Sequence, residues 1–127
     1  MKLAVALLST LALTGAAPQQ PDWVLLGTRA VNDRVDHDVI GVTAARGDWQ
    51  AIKIAVQRAS VDFYRVVVHF GNGTQQDVQL RNTIPAGGET RAIDLTGPDR
   101  VINRVEFWYD ANTIRGRRAV VRLFGRR

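Results

Sequence analysis

The sequence predicts an all-β protein, an antiparallel β-sandwich of about eight strands, on three observations. Runs rich in β-branched and aromatic residues recur at regular intervals, each closed by Gly, Pro, Asn or Asp. The run 101–109 alternates with a period of two: Val101, Val105, Phe107 and Tyr109, with Asn103, share one face, while Arg104, Glu106, Trp108 and then Asp110 point the other way. At Phe70-Gly71-Asn72-Gly73-Thr74, an Asn-Gly pair offers the positive φ angles of a tight hairpin turn.

The elements follow in order. Residues 1–16 read as a secretory signal peptide: Lys2 supplies the positive end, Leu3 to Leu13 the apolar stretch, and Thr14-Gly15-Ala16 the small-residue cleavage pattern. That stretch falls short of the roughly 20 residues that span a bilayer, so no transmembrane segment is expected. Residues 17–22, rich in Pro and Gln, form a flexible tether, and 23–127 the sandwich domain. Its expected strands are 23–28, 38–43, 49–57, 63–70, 75–81, 90–95, 101–109 and 118–124. The Asn72-Gly73 turn pairs the fourth and fifth. The fourth is expected to turn Tyr64, Val66, Val68 and Phe70 inward and Phe63, Arg65 and His69 outward. The third also carries a helical stripe of Ala51, Ile52, Ala55, Val56 and Ala59 behind Asp48. Alternation wins there, because it turns Ile52, Ile54 and Val56 inward together and Lys53 and Gln57 outward.

After the leader, about 110 residues remain, one domain's worth of core. Cysteine is absent, which excludes disulfides, thiol nucleophiles and Cys-based metal sites. The formal net charge is +5, and Lys2 and Lys53 are the only lysines beside fifteen arginines. An exported setting, periplasmic or secreted, follows from the leader.

Several motifs together carry a resemblance: Leu26-Gly27, Asp36-His37-Asp38-Val39-Ile40, Phe70-Gly71-Asn72-Gly73, Ile93-Asp94-Leu95, Arg100-Val101-Ile102 and the 105–109 strand. In these the chain resembles a family of small exported bacterial proteins known only as a domain of unknown function. The resemblance implies an exported β-sandwich and supplies no catalytic or binding residue.

Four sets of residues are candidates for chemistry. Asp33, Asp36 and Asp38 alternate in a loop and offer hard oxygen ligands for calcium. We prefer the plainer reading, an acidic turn whose side chains cap backbone N–H groups and pair with Arg29 or Arg34. His37 and His69, with the 33–38 loop, would serve a hydrolase or a metal-dependent enzyme if the fold brought them together. No nucleophile with a base, and no facing pair of carboxylates, is visible around them. Arg115, Arg117 and Arg118, with Arg122, Arg126 and Arg127, form a basic C-terminal stretch with no acidic residue after Asp110, suited to an anionic envelope polymer or an acidic protein partner. The plainer reading there is a solvated turn and a frayed end. Trp108, outward on its strand, is either a stacking platform for a glycan or a ring packed on its own sheet. No nucleic-acid motif is present, and no nucleic-acid partner is expected. The expectation is a non-enzymatic binding or interaction module for a glycan, an anionic envelope polymer or a protein, with the hydrolase as the alternative.

Overall fold

The computed structural model describes residues 23–31, 35–42, 47–97, 100–112 and 118–127. These form nine strands and no helix. They are β1 (Val24–Val31), β2 (Val35–Gly41), β3 (Ala51–Gln57), β4 (Ser60–Phe70), β5 (Gln75–Val78), β6 (Asn82–Ile84), β7 (Ile93–Asp94), β8 (Ile102–Asn112) and β9 (Ala119–Arg126). The expected leader 1–16 and tether 17–22 lie outside the described residues, as do Asp33, Arg34, Arg115 and Arg117.

The strands make two antiparallel sheets, one in the order β1-β9-β3-β7 and the other β2-β8-β4-β5, with β6 also paired to β4. One hydrophobic cluster draws on both, as a sandwich requires: Val31, Ile52, Ile54, Val56, Val121 and Leu123 from the first, Val66, Val68, Val105, Phe107 and Tyr109 from the second. Gly27 explains one close approach between them. It is paired with inward-facing Leu123, and a Cβ built on it would lie 2.3 Å from Ile40 Cγ2 of β2.

The ambiguous third segment is strand: Ile52, Ile54 and Val56 are fully buried, and Lys53 and Gln57 face out. The expected 4–5 hairpin forms as well. Phe70 N donates to Thr74 O and Gly73 N to Phe70 O, while Asn72 Oδ1 accepts from Thr74 N. Only Gly73 takes a positive φ (89°), so this is a three-residue loop closed by a glycine rather than a two-residue turn.

Side-chain assignments change at two places, both of them register shifts. Phe63 is buried and Tyr64 is 43% exposed, the reverse of the expectation, because the β4–β8 register shifts between Phe63 and Arg65. That irregularity adds one residue and inverts the alternation upstream of it. The second shift lies where His69 pairs with Arg104 but Phe70 with Ile102, leaving Asn103 as the extra residue. Ile102 is therefore buried and Val101 exposed. The run 75–81 is also shorter than expected. β5 pairs with β4 at residues 66–69 and β6 at 61–63, so the break between them falls opposite the first irregularity.

Candidate functional site

β8 is the central strand from which the site is built, because β2 and β4 flank it on both sides. Each outward side chain of β8 therefore has two cross-strand neighbours. Trp108 lies opposite His37 and Arg65, Glu106 opposite Val39 and Val67, and Arg104 opposite Gly41 and His69. With a valine on each side, Glu106 reaches its polar partners along the diagonals, one pair up on β2 and one pair down on β4.

There it joins the two histidines of the chain. His37 Nε2 lies 2.7 Å from Glu106 Oε2, and His69 Nε2 lies 2.7 Å from Glu106 Oε1. The hydrogen bond from His69, and then that from His37, hold the Glu106 carboxyl below its ordinary value, with partial burial opposing them. An ionised carboxylate only accepts, so Nε2 of each imidazole carries the hydrogen and donates it. The two rings arrive from strands on opposite sides of β8, each about 4.8 Å away. They bracket the carboxylate instead of converging on a point beside it. Among the described residues, no group of three or more His, Asp or Glu is arranged to hold a metal ion.

Trp108 sits directly above this triad in the same face. The His37 ring lies 4.7 Å from it, tilted by 34°, and the Arg65 guanidinium lies over it at 5.0 Å. Arg65 also pairs with Asp77 of β5 at 3.2 Å. Val67 faces outward in register yet is 2% exposed, so the polar layer covers it.

Asp36 and Asp38 stand apart from the histidines. The segment is strand rather than loop, and alternation turns both carboxylates to the face of Tyr109 and Phe107, opposite to His37. Asp38 accepts from Tyr109 Oη at 2.7 Å and from the Arg29 guanidinium at 2.9 Å, tying β2 to β1 of the other sheet. Asp36 Oδ1 accepts from the His37 backbone N–H at 2.8 Å. The expected grouping of His37 and His69 with the 33–38 carboxylates is therefore corrected: the strand period divides it, and Glu106 supplies the shared carboxylate.

Among the C-terminal arginines, Arg118 donates to the carbonyls of Val31 and Ala30, both at 3.4 Å. Arg126 and Arg127 are not frayed. They lie over Trp23 at 4.9 Å and Trp49 at 4.2 Å, and Gln50 N donates to Arg126 O. Sequence reading passed over Glu106 as a lone outward acid, because the register that makes it diagonal to both histidines is set by strand pairing. Its one legible signal was its position two residues from Trp108.

Fold and surface together define a class: a small all-β protein of two antiparallel sheets, with a connected His–Glu–His and Trp–Arg surface on one of them. The chain belongs to the family described as Domain of unknown function (DUF2541), whose model matches residues 3–125. No curated protein and no solved structure shows significant similarity to it. No helix among the described residues is long and apolar enough to cross a membrane.

Proposed function

We propose that the protein is an exported, non-enzymatic interaction module that engages a protein partner through the outer face of its five-stranded sheet. The carrying observation is the row His37–Trp108–Arg65 above the His37–Glu106–His69 triad. Tryptophan and arginine dominate the energetics of protein contacts, and their worth grows when they are held in place before binding. Here Trp108 is held between His37 and Arg65, and the triad fixes His37. A glycan platform fits less well, since a sugar ring stacks on the flat of an indole and these two neighbours lie against it. The amino-terminal pattern of residues 1–16 supports export, periplasmic or secreted.

A photo-crosslinking amino acid placed at position 65 should yield a discrete protein adduct in extracytoplasmic fractions, and the same probe at position 124, on the other sheet, should not. Trp108→Ala in the position-65 probe background should abolish the adduct. A protein equally captured from both sheets, or retention on a glycan array without any protein adduct, would overturn the reading.

The alternative, a hydrolase, draws on the convergence of His37 and His69 upon Glu106. Both Glu106 oxygens already accept N–H bonds, which is a poor state for a general base. Asp77, in line with it across Val67, is paired with Arg65. Hydrolysis of an ester or glycoside panel that is lost in Glu106→Gln would favour this reading over ours.

A further inference from the structure

The opposite side of the molecule carries a different kind of surface. On the four-stranded sheet, alternation turns Lys53, Ala55 and Gln57 of β3 outward beside Phe124, Arg122 and Val120 of β9. The segment 87–90 runs along the free edge of β3: Gly87 N donates to Val56 O, Gly88 O accepts from Val56 N, and Thr90 N donates to Ile54 O. Between this segment and the two strands lies a concavity of about 220 Å³. Lys53, Arg122 and Phe124 line it, and Gly87 and Gly88 leave one wall without side chains.

Its charges are unbalanced. Lys53 Nζ is held 3.2 Å from Glu89 and over the rings of Trp23 and Phe124, at 4.7 and 5.6 Å. Arg122 has no such answer: its Nε is buried and has no hydrogen-bond partner among the described residues. A buried donor without an acceptor is unfavourable, so the site favours whatever brings an oxygen to it. Glu89 is 54% exposed, at the rim, and it is the single acid of the lining.

We propose that this concavity is a binding site for an oxyanion, the phosphate or carboxylate group of a small or polymeric ligand. Arg122 supplies the fork for the anion, Lys53 the second charge, and Phe124 with Ala55 the apolar floor. The volume lies below the roughly 300–1,000 Å³ of sites that enclose a drug-sized ligand. It suits one anionic headgroup or a single sugar acid. The site shares no residue with the five-stranded face, and its failure or success leaves the protein-partner reading untouched.

The test is thermal unfolding of the purified chain at low ionic strength, titrated separately with inorganic phosphate, glucose 1-phosphate and glucuronate. A saturable rise in Tm is expected, weakened by added salt. Arg122→Gln and Lys53→Gln should each lower the apparent affinity about tenfold or more, and Arg65→Gln on the other face should leave it unchanged. A response to all three probes assigns oxyanion charge alone, and a response to the two phosphates assigns the phosphoryl group; either supports the proposal. If Arg122→Gln does not fold, phosphate-induced amide shifts in the unaltered protein replace it, expected at Ala55, Gly87 and Gly88. No saturable response to any probe, a response that survives Arg122→Gln, or amide shifts only elsewhere would overturn it.

Discussion

The two outward sheet faces are built from similar parts, a tryptophan, several cations and a glutamate, yet they end in opposite electrostatic states. On the five-stranded sheet, Glu106 sits on a strand with neighbours on both sides, and it receives a histidine from each. Arg65 there is answered by Asp77 and stacked on Trp108. On the four-stranded sheet, Glu89 lies on an edge segment and meets only Lys53, while Arg122 keeps an unpartnered Nε among the described residues. The lesson is positional: an acid on a central strand organises a network, and one at a sheet edge leaves cations beyond its reach. A face whose charges are satisfied internally suits a preorganised contact, and one with an unanswered cation suits an incoming anion.

The largest test of this contrast removes each glutamate in turn. Glu106→Ala deletes two charge-assisted hydrogen bonds at a side chain only 22% exposed, and should cost about 2–3 kcal/mol in urea unfolding. Glu89→Ala, at a side chain 54% exposed with one ion pair, should change stability by no more than about 0.5 kcal/mol. Equal costs would remove the distinction between a network and an edge contact.

The second test is the pH dependence of Glu106. Its carboxyl is held below the ordinary value, first by the His69 hydrogen bond. A carboxyl depressed in the folded state stabilises fully above its unfolded value of about 4.3, and that contribution fades as pH falls through the folded-state value. The stability gap between the unaltered protein and Glu106→Gln should therefore be widest near neutrality and shrink as pH falls below the unfolded carboxyl value and through the lower folded-state one. Urea titrations across that range measure it, and a gap that stays constant would mean that the triad does not hold the carboxylate.

The contrast between faces also marks what the sequence made legible. Period-two alternation was enough to assign β3 as strand and to place Glu106 and Trp108 outward, and the Asn72-Gly73 turn was enough to pair β4 with β5. It failed at Phe63, Tyr64, Val101 and Ile102, because an extra residue in one strand inverts parity without altering composition. The candidate site was half legible. His37, His69 and Trp108 were identifiable as the scarce chemical groups, but their meeting at Glu106 depends on β2 and β4 both flanking β8, a strand order no local pattern encodes. Asp36 and Asp38 misled for the same reason: in a loop they would share a space with His37, whereas in a strand they cannot. Arg122 was legible only as one member of a basic stretch; its place in a concavity beside Lys53 depends on the pairing of β3 with β9, which no local pattern encodes.

The smallest effect compares the two arginine–tryptophan contacts. Arg65 lies 5.0 Å from the Trp108 ring centre and Arg126 lies 4.9 Å from that of Trp23, so geometry alone makes them equivalent. Their surroundings differ. Trp108 is also covered by His37, and Arg65 is anchored by Asp77, whereas Trp23 shares its cations, Arg126 and Lys53, at the margin of the anion site. Each contact at such exposed positions is worth about 0.5–1 kcal/mol, so stability barely separates Arg65→Gln from Arg126→Gln. The indole N–H resonances do separate them. Added phosphate should shift the Trp23 signal through Lys53 and leave Trp108 in place, and Arg65→Gln should move Trp108 without changing the phosphate response. A phosphate-induced shift at Trp108 would show that the anion settles on the five-stranded face, and the division of labour between the two sheets would fall with it.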